Sequence, residues 1–317
     1  MSGSRAVVFA YSNVGARCLR VLRAHGLEIS LVVTHADNPQ ETLWFERVAD
    51  VATEAGLDVA MPADPNTADF IARVAALQPD FIFSFYYRLM LAPALLALAP
   101  RGAFNMHGSL LPKFRGRAPV NWAVLHGARE TGATLHVMAA KPDAGDIVDQ
   151  TSVPILPDDT AREVFDKVCV AAEITLDRVL PALLAGSAPR LTMDLTAGSY
   201  FGARRPEDGR IDWSQDAQRI HNLVRAVAPP YPGATTTIAG RSARILRTRV
   251  VDAAGPAGTA TLRVRDGAIT VRCGGGGLLR VLELELEGRL VNADAAVQRL
   301  GGMDHTLGTS HAAKPLK

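Results

Sequence analysis

The stretch A-F-N-M-H-G-S-L-L-P-K-F-R-G-R-A-P, residues 103–119, decides how the rest of the chain is read. Its first five residues are an apolar run with two polar side chains set into it, the pattern of a buried strand. Side chains along a strand alternate between faces, so Asn105 and His107 share one face while Phe104 and Met106 take the other. An amide beside an imidazole suits acyl chemistry. The amide donates to an oxygen that gains charge, and the imidazole moves protons near neutral pH. Gly108 ends the strand, Pro112 and Pro119 bracket a rigid loop, and Lys113, Arg115 and Arg117 make that loop cationic.

Working outward toward the N-terminus, residues 81–85 form another continuous apolar strand, as expected when helices cover both sheet faces. Residues 6–10 read as the first strand, Tyr11, Ser12 and Asn13 as its turn, and residues 15–25 as a helix with apolar spacing at Val14, Cys18, Leu19 and Leu22. That turn holds one glycine where a dinucleotide fingerprint needs three, which excludes NAD and FAD. An anionic group of a nucleotide still suits the N-terminus of that helix. Further strands are expected at 29–34 and near Val59, and helices at 41–55 and 68–77. Toward the C-terminus come a helix at 120–126, strands at 134–138 and 147–155, and a long helix capped by Thr160 and reaching about Leu184. This alternation predicts an α/β fold, a Rossmann-like, mostly parallel sheet.

Composition then shifts. Residues 186–198 are small and polar, a helix is expected at 214–227, and five short glycine-separated strands follow within 235–286. Their spacing predicts a second, smaller OB-like β-barrel. The expected domains are a catalytic domain over 1–188, a linker over 189–204, the barrel over 205–308 and a tail over 309–317 that frays.

The 317 residues are 48% hydrophobic and 21% charged with a net charge of +2, so no polyanionic partner is indicated. Cys18, Cys169 and Cys273 are too far apart for a disulfide framework or a zinc set and read as buried thiols, and no metal set is convincing among the histidines. No signal peptide or membrane-spanning run is evident, so the expected setting is cytoplasmic, without membrane insertion. No phosphate loop or nucleophile elbow occurs. An imidazole base needs an orienting carboxylate. Asp143 leads, because its loop follows a strand that can lie beside residues 103–107, while Asp146 competes with it and His136 competes as the imidazole.

The run Asn105-Met106-His107-Gly108-Ser109-Leu110-Leu111-Pro112, with Asp143-Ala144-Gly145 downstream, resembles the signature of folate-dependent formyltransferases. Residues 7–11, 34–39, 83–88, 107–122 and 225–234 are similar to the branch that formylates UDP-4-amino-4-deoxy-L-arabinose in polymyxin resistance. The resemblance implies that Asn105 stabilises the oxyanion, His107 shuttles the proton and Asp143 holds His107 and favours its charged form. It implies 10-formyltetrahydrofolate as co-substrate, lying against Leu89, Met90, Leu91, Arg117, Ala139, Ala140, Lys141, Pro142 and Asp143. For the sugar nucleotide, the candidates are Tyr11, Ser12, Asn13, Asn222, Arg225 and Tyr231, with a solvated helix face as the plainer reading of Asn222 and Arg225. Bifunctional members of that branch continue into a decarboxylase domain, so this chain is expected to be a free-standing or shortened formyltransferase without that chemistry. Methionyl-tRNA formyltransferase is the alternative. Its Lys-rich insertion is missing here, since residues 36–42 hold no Lys or Arg, and no nucleic-acid partner is expected. A catalytically dead nucleotide-sugar binder is the other class of reading, opposed by the intact Asn105, His107 and Asp143.

Overall fold

A computed structural model describes residues 3–38 and 43–308. In chain order the first half comprises β1 (Arg5–Ala10), α1 (Ser12–Ala24), β2 (Glu28–Val33), α2 (Val48–Glu54), β3 (Val59–Ala60), α3 (Ala68–Ala76), β4 (Phe81–Phe85) and α4 (Pro93–Leu96). It continues through β5 (Ala103–His107), β6 (Arg115–Gly116), α5 (Pro119–Leu125), β7 (Glu130–Val137), β8 (Ile147–Pro154), α6 (Ala161–Ala185) and β9 (Tyr200–Phe201). The seven-stranded sheet has the order β3-β2-β1-β4-β5-β7-β8, with β3 through β5 parallel and β7 and β8 antiparallel. The chain divides into two compact units, one over 1–119, 130–154 and 165–201, the other over 120–129, 155–164 and 202–317.

Packing in the first unit follows from the apolar strands. Phe81, Phe83 and Phe85 share one face of β4 and are fully buried, and Phe83 stacks on Phe104 of β5 at 5.8 Å. Met106, on the same side of β5 as Phe104, is 1% exposed. Burying each such side chain contributes about 1.5–3 kcal/mol, so β5 is pinned from the side opposite Asn105 and His107. On its other face β1–β4 pack Val7, Phe9, Leu31, Val33 and Ile82 against Phe70, Val74 and Leu95 of the helices.

The expected helix at 41–55 is shorter. Residues 41 and 42 lie outside the described residues, and the observed helix begins at Val48. Trp44 meets Phe165 edge-on at 5.3 Å and Phe45 meets Tyr11 at 5.1 Å. Aromatic packing therefore overrides helix propensity there.

The second unit carries α7 (Ala217–Val227), β10 (Ala234–Ile238), β11 (Arg241–Asp252), β12 (Thr261–Arg265), β13 (Ala268–Arg272), β14 (Leu278–Leu286), β15 (Arg289–Val291), α8 (Ala293–Leu300) and β16 (Asp304–Thr306). Its antiparallel path is β10-β11-β14-β13-β12-β16, with β15 on β14, and no pairing joins β10 to β16 among the described residues. Register shifts along β11 against β14 bend the sheet, giving an open half-barrel with seven strands where five were expected. Trp213, Ile220, Val224, Ile245, Leu262 and Leu279 fill its core. α8 was missed although Asn292 caps it, accepting from Ala295 N at 2.9 Å. The tail past Gly308 lies outside the described residues.

Residues 199–201, expected to be linker, pair with the cationic loop. Arg115 N donates to Ser199 O at 2.9 Å, Arg117 N donates to Phe201 O at 3.0 Å, and Phe114 N donates to Ser199 Oγ at 2.9 Å. Gly116 has φ 94°, and a Cβ there would lie 2.1 Å from Phe201 O. Gly116→Ala is therefore expected to lose about 1–3 kcal/mol of stability, read as a lowered denaturation midpoint in a urea titration. An unchanged midpoint would show that the β6–β9 pairing does not bear on the fold.

Candidate active site

Strand β5 lies between β4 and β7, with Ser84 beside Asn105, His136 opposite Asn105 and Thr134 opposite His107. Period-two alternation puts Asn105 and His107 on one face, and β7 adds His136 to the same group. The hairpin from β7 to β8 then turns back, and Asp143, at φ 49°, brings its carboxylate to both rings. Asp143 Oδ1 is 3.6 Å from His107 Nδ1 and 3.6 Å from His136 Nε2. Gly116 N donates to Asp143 Oδ2 at 2.9 Å. Asp143, rather than Asp146, is the carboxylate that faces the rings; Asp146 accepts at its backbone carbonyl from Val137 N at 2.9 Å.

Hydrogen bonds fix the tautomers. His107 Nε2 faces Phe114 O at 2.9 Å and must donate to it, which leaves the lone pair of the neutral ring at Nδ1. His136 Nδ1 donates to Val137 O at 2.8 Å, so its Nε2 accepts from Asn105 Nδ2 at 3.1 Å. Asn105 thereby has one amide hydrogen engaged and one available.

Burial sets the charges. His107 is 6% exposed; desolvation pulls its proton affinity below the ordinary imidazole value, and the Asp143 carboxylate and Phe114 carbonyl offset this only in part. Burial alone would raise the Asp143 carboxyl, but His107, His136 and the Gly116 N–H together hold it well below the usual carboxylate range. The arrangement is thus a neutral imidazole beside a half-buried anion, with an amide donor alongside.

The surrounding loop is tied down. Thr134 Oγ1 donates to Ser109 O at 2.6 Å and accepts from Leu111 N at 3.1 Å, while Ser109 Oγ donates to Lys113 O at 2.6 Å. Gly108 is required because the Tyr86 hydroxyl would stand 1.7 Å from a Cβ at that position. Tyr86 also packs edge-on against Phe165 at 5.7 Å, and Tyr87 stacks on His35 at 4.1 Å, so both tyrosines serve packing. Burial, with Arg88 adding, pushes His35 down to about 4 and keeps that stacked ring neutral.

Of the expected folate contacts, Leu89 and Met90 follow β4 and are 39% and 54% exposed, whereas Leu91 is buried at 4%. Arg117, Ala139, Ala140 and Lys141 are exposed, and Pro142 is half-buried. Tyr11 is buried with its ring 4.5 Å beneath the Arg88 guanidinium, Ser12 is buried, and Asn13 Oδ1 accepts from Glu46 N at 2.7 Å. Asn222, Arg225 and Tyr231 belong to the second unit. There the solvated-face reading of α7 is corrected, since Asn222 and Arg225 are each 6% exposed. Arg225 donates to Asp159 O at 3.1 Å and, through Nη2, to Asn222 Oδ1 at 2.9 Å, a network built to satisfy a buried guanidinium.

Sequence reasoning weighed His136 only as a rival to His107, and the strand pairing makes it the acceptor that orients Asn105. The backbone groups of Phe114 and Gly116 were also missed, because backbone donors leave no side-chain signature. Cys18, Cys169 and Cys273 are buried free thiols. No group of three or more His, Cys, Asp or Glu side chains is placed to hold a metal among the described residues, and no helix among them is long and apolar enough to cross a membrane.

With this geometry in hand, comparison with solved structures is informative about the fold. The chain is similar to the N-formyltransferase of Helicobacter canadensis, crystallised with folinic acid and dTDP-3-aminofucose, at 17% identity over 88% of this chain and 98% of that one, with a TM-score of 0.71. It is similar to WlaRD, a sugar 3N-formyltransferase crystallised with dTDP and 5-N-formyltetrahydrofolate, at 17% identity over 92% and 100% with a TM-score of 0.70. HypX from Aquifex aeolicus, crystallised with tetrahydrofolic acid, matches at 16% identity over 94% of this chain and 48% of that one, with a TM-score of 0.63. Residues 4–180 match the formyl transferase family, and residues 204–299 match the formyl transferase C-terminal domain. The chain that gathers Asn105, His107 and Asp143 at one sheet position belongs to the formyl transferase family.

Proposed function

We propose that this chain moves the formyl group of 10-formyltetrahydrofolate to the 4-amino group of UDP-4-amino-4-deoxy-L-arabinose, a step of lipid A modification and polymyxin resistance. The carrying observation is that the Asn105 amide is bonded to His136 while His107 and His136 each lie 3.6 Å from the half-buried Asp143 carboxylate. The motif resemblance supports the arabinose acceptor, and related folds crystallised with a folate and a dTDP-amino-sugar support the substrate class. The residues present fit a folate, because Leu89 and Met90 leave apolar side chains at the surface beside the strand that neighbours β5. A pterin ring would cover such surface, and Arg117 with residues 139–143 would complete the contacts.

Each residue then has a defined task. Asn105 Nδ2 has one hydrogen left to donate to the formyl oxygen as the sugar amine adds and that oxygen gains charge. His107 takes the ammonium proton at Nδ1, its Nε2–H remaining on Phe114 O. The new Nδ1–H faces the Asp143 carboxylate at 3.6 Å, so the imidazolium is formed next to its counter-charge. His107 then returns the proton as the tetrahydrofolate nitrogen leaves. His136 orients Asn105, and Gly116 N–H holds Asp143.

An acceptor screen with 10-formyltetrahydrofolate tests the reading, comparing UDP-4-amino-4-deoxy-L-arabinose, other UDP- and dTDP-amino-sugars and charged initiator tRNA. The arabinose nucleotide is expected to be formylated fastest, and turnover confined to tRNA would replace this reading with the methionyl-tRNA one. Asn105→Ala should lower kcat about a hundredfold, roughly 3 kcal/mol of transition-state stabilisation. His107→Ala should abolish turnover with an unchanged far-UV spectrum and melting curve. Equal turnover would remove that ring from the mechanism.

The pH profile gives a separate check. Burial lowers the proton affinity of His107 from the usual 6.5, so its basic form persists below pH 6.5 and the acid limb of kcat/KM should fall below that value. Asp143 pushes the same group upward. In Asp143→Asn the remaining activity should therefore keep its acid limb at still lower pH while the plateau drops. A limb that moved to higher pH would contradict the charge arrangement.

A further inference from the structure

The backbone on either side of Arg115 is fully used: Phe114 O accepts from His107, and Gly116 N donates to Asp143. The Arg115 side chain is not. The residue is 8% exposed, yet its Nε and Nη1 have no hydrogen-bond partner and no described acidic group forms an ion pair with it. The Tyr200 ring is 6.0 Å from the guanidinium carbon, the outer limit of a cation–π contact, and does not replace an anion. Leaving a buried cation without a counter-charge costs several kcal/mol. Lys113 and Arg117 flank it and are exposed. The charge has no relief nearby in sequence either: between Asp80 and Glu130 there is no Asp or Glu, while Arg88, Arg101, Lys113, Arg115, Arg117 and Arg129 all fall within that interval.

We propose that Arg115 anchors the diphosphate of the nucleotide acceptor, an inference that rests on the formyl-transfer reading above. The guanidinium presents paired N–H groups in a fixed plane, which match two phosphate oxygens in a way that an ammonium does not. Its Cα is held by the same three-residue segment that holds the base and the carboxylate, so an acceptor gripped there is fixed relative to His107 Nδ1. Lys113 and Arg117, lying in water, draw the anion in; Arg115, out of water, binds it. A folate carboxylate would offer the same paired oxygens, and separate titrations distinguish the two sources.

The full chain is titrated calorimetrically with UDP, with dTDP and with 5-formyltetrahydrofolate, for the unmodified protein, Arg115→Gln and Arg115→Lys. The expected result is that Arg115→Gln weakens UDP or dTDP binding roughly tenfold or more, equivalent to about 1.4 kcal/mol. Arg115→Lys should recover part of that loss, and folate affinity should stay within about twofold, a difference of only a few tenths of a kcal/mol. Unchanged nucleotide affinity in Arg115→Gln would overturn the proposal, as would failure of the unmodified protein to bind either diphosphate. Selective loss of folate binding would assign the guanidinium to the carboxylate instead. Loss of both ligands together with a lowered melting temperature in both variants would make Arg115 a structural residue. None of these titrations reads formyl transfer, so a failed acceptor screen and a failed phosphate anchor remain distinct results.

Discussion

One half-buried carboxylate between two imidazole rings is the constraint on which the rest of the site depends. Asp143 stands 3.6 Å from a nitrogen of His107 and of His136, and Gly116 supplies a backbone N–H to its other oxygen. A carboxylate largely withdrawn from water is costly unless it is hydrogen-bonded. The Gly116 N–H is the donor that meets it, and the rings of His107 and His136 come from two other segments, so the group assembles when β5, β7 and the loop carrying β6 are all in place. The cost of burying Asp143 is thereby coupled to the folding of the site.

Rigidity in that region comes from both sides of β5. Beneath it, Phe104 and Met106 are locked against the phenylalanine row of β4. Above it, the Tyr86 hydroxyl packs so closely on Gly108 that no side chain fits. The cationic loop is held laterally by residues 199–201 through three backbone-donor bonds. In the proposed reaction, an amide that meets a developing charge gains most when it cannot swing away from it. His136 does this for Asn105 by accepting one of its two amide hydrogens.

How much of this the sequence discloses depends on what carries the information. The face shared by Asn105 and His107 follows from period-two alternation, and the parallel part of the sheet follows from continuous apolar strands such as F-I-F-S-F. Asp143 could be named because its loop follows a strand able to neighbour β5, but its reach over the sheet depends on a left-handed residue and a hairpin turn that apolar periodicity does not encode. His136 looked like a competitor because its partner is set by register, Asn105 opposite His136, and register is a tertiary fact. The α7 residues Asn222 and Arg225 read as solvated because polar side chains at helical spacing usually are. Their burial is supported by backbone carbonyls distant in sequence, on Asp159, Leu156 and Val124, that accept from the guanidinium, with Asn222 Oδ1 accepting as well.

The opposition of burial and charge at His107 has a chemical consequence. Desolvation alone would give a ring that resists protonation, and an exposed pairing with a carboxylate would give one that is already protonated. Here the two act together, with burial the larger. The resting ring is therefore neutral with a free lone pair at Nδ1. Both of its nitrogens nevertheless face acceptors, Phe114 O and Asp143, so the protonated ring loses no partner when it forms. In the proposed reaction such a ring would accept a proton from the amine as positive charge develops on nitrogen and release it within the same turnover. A more exposed histidine beside the same aspartate would hold the proton too well to give it back, which is why the seclusion of His107 and the presence of Asp143 have to be read as one device.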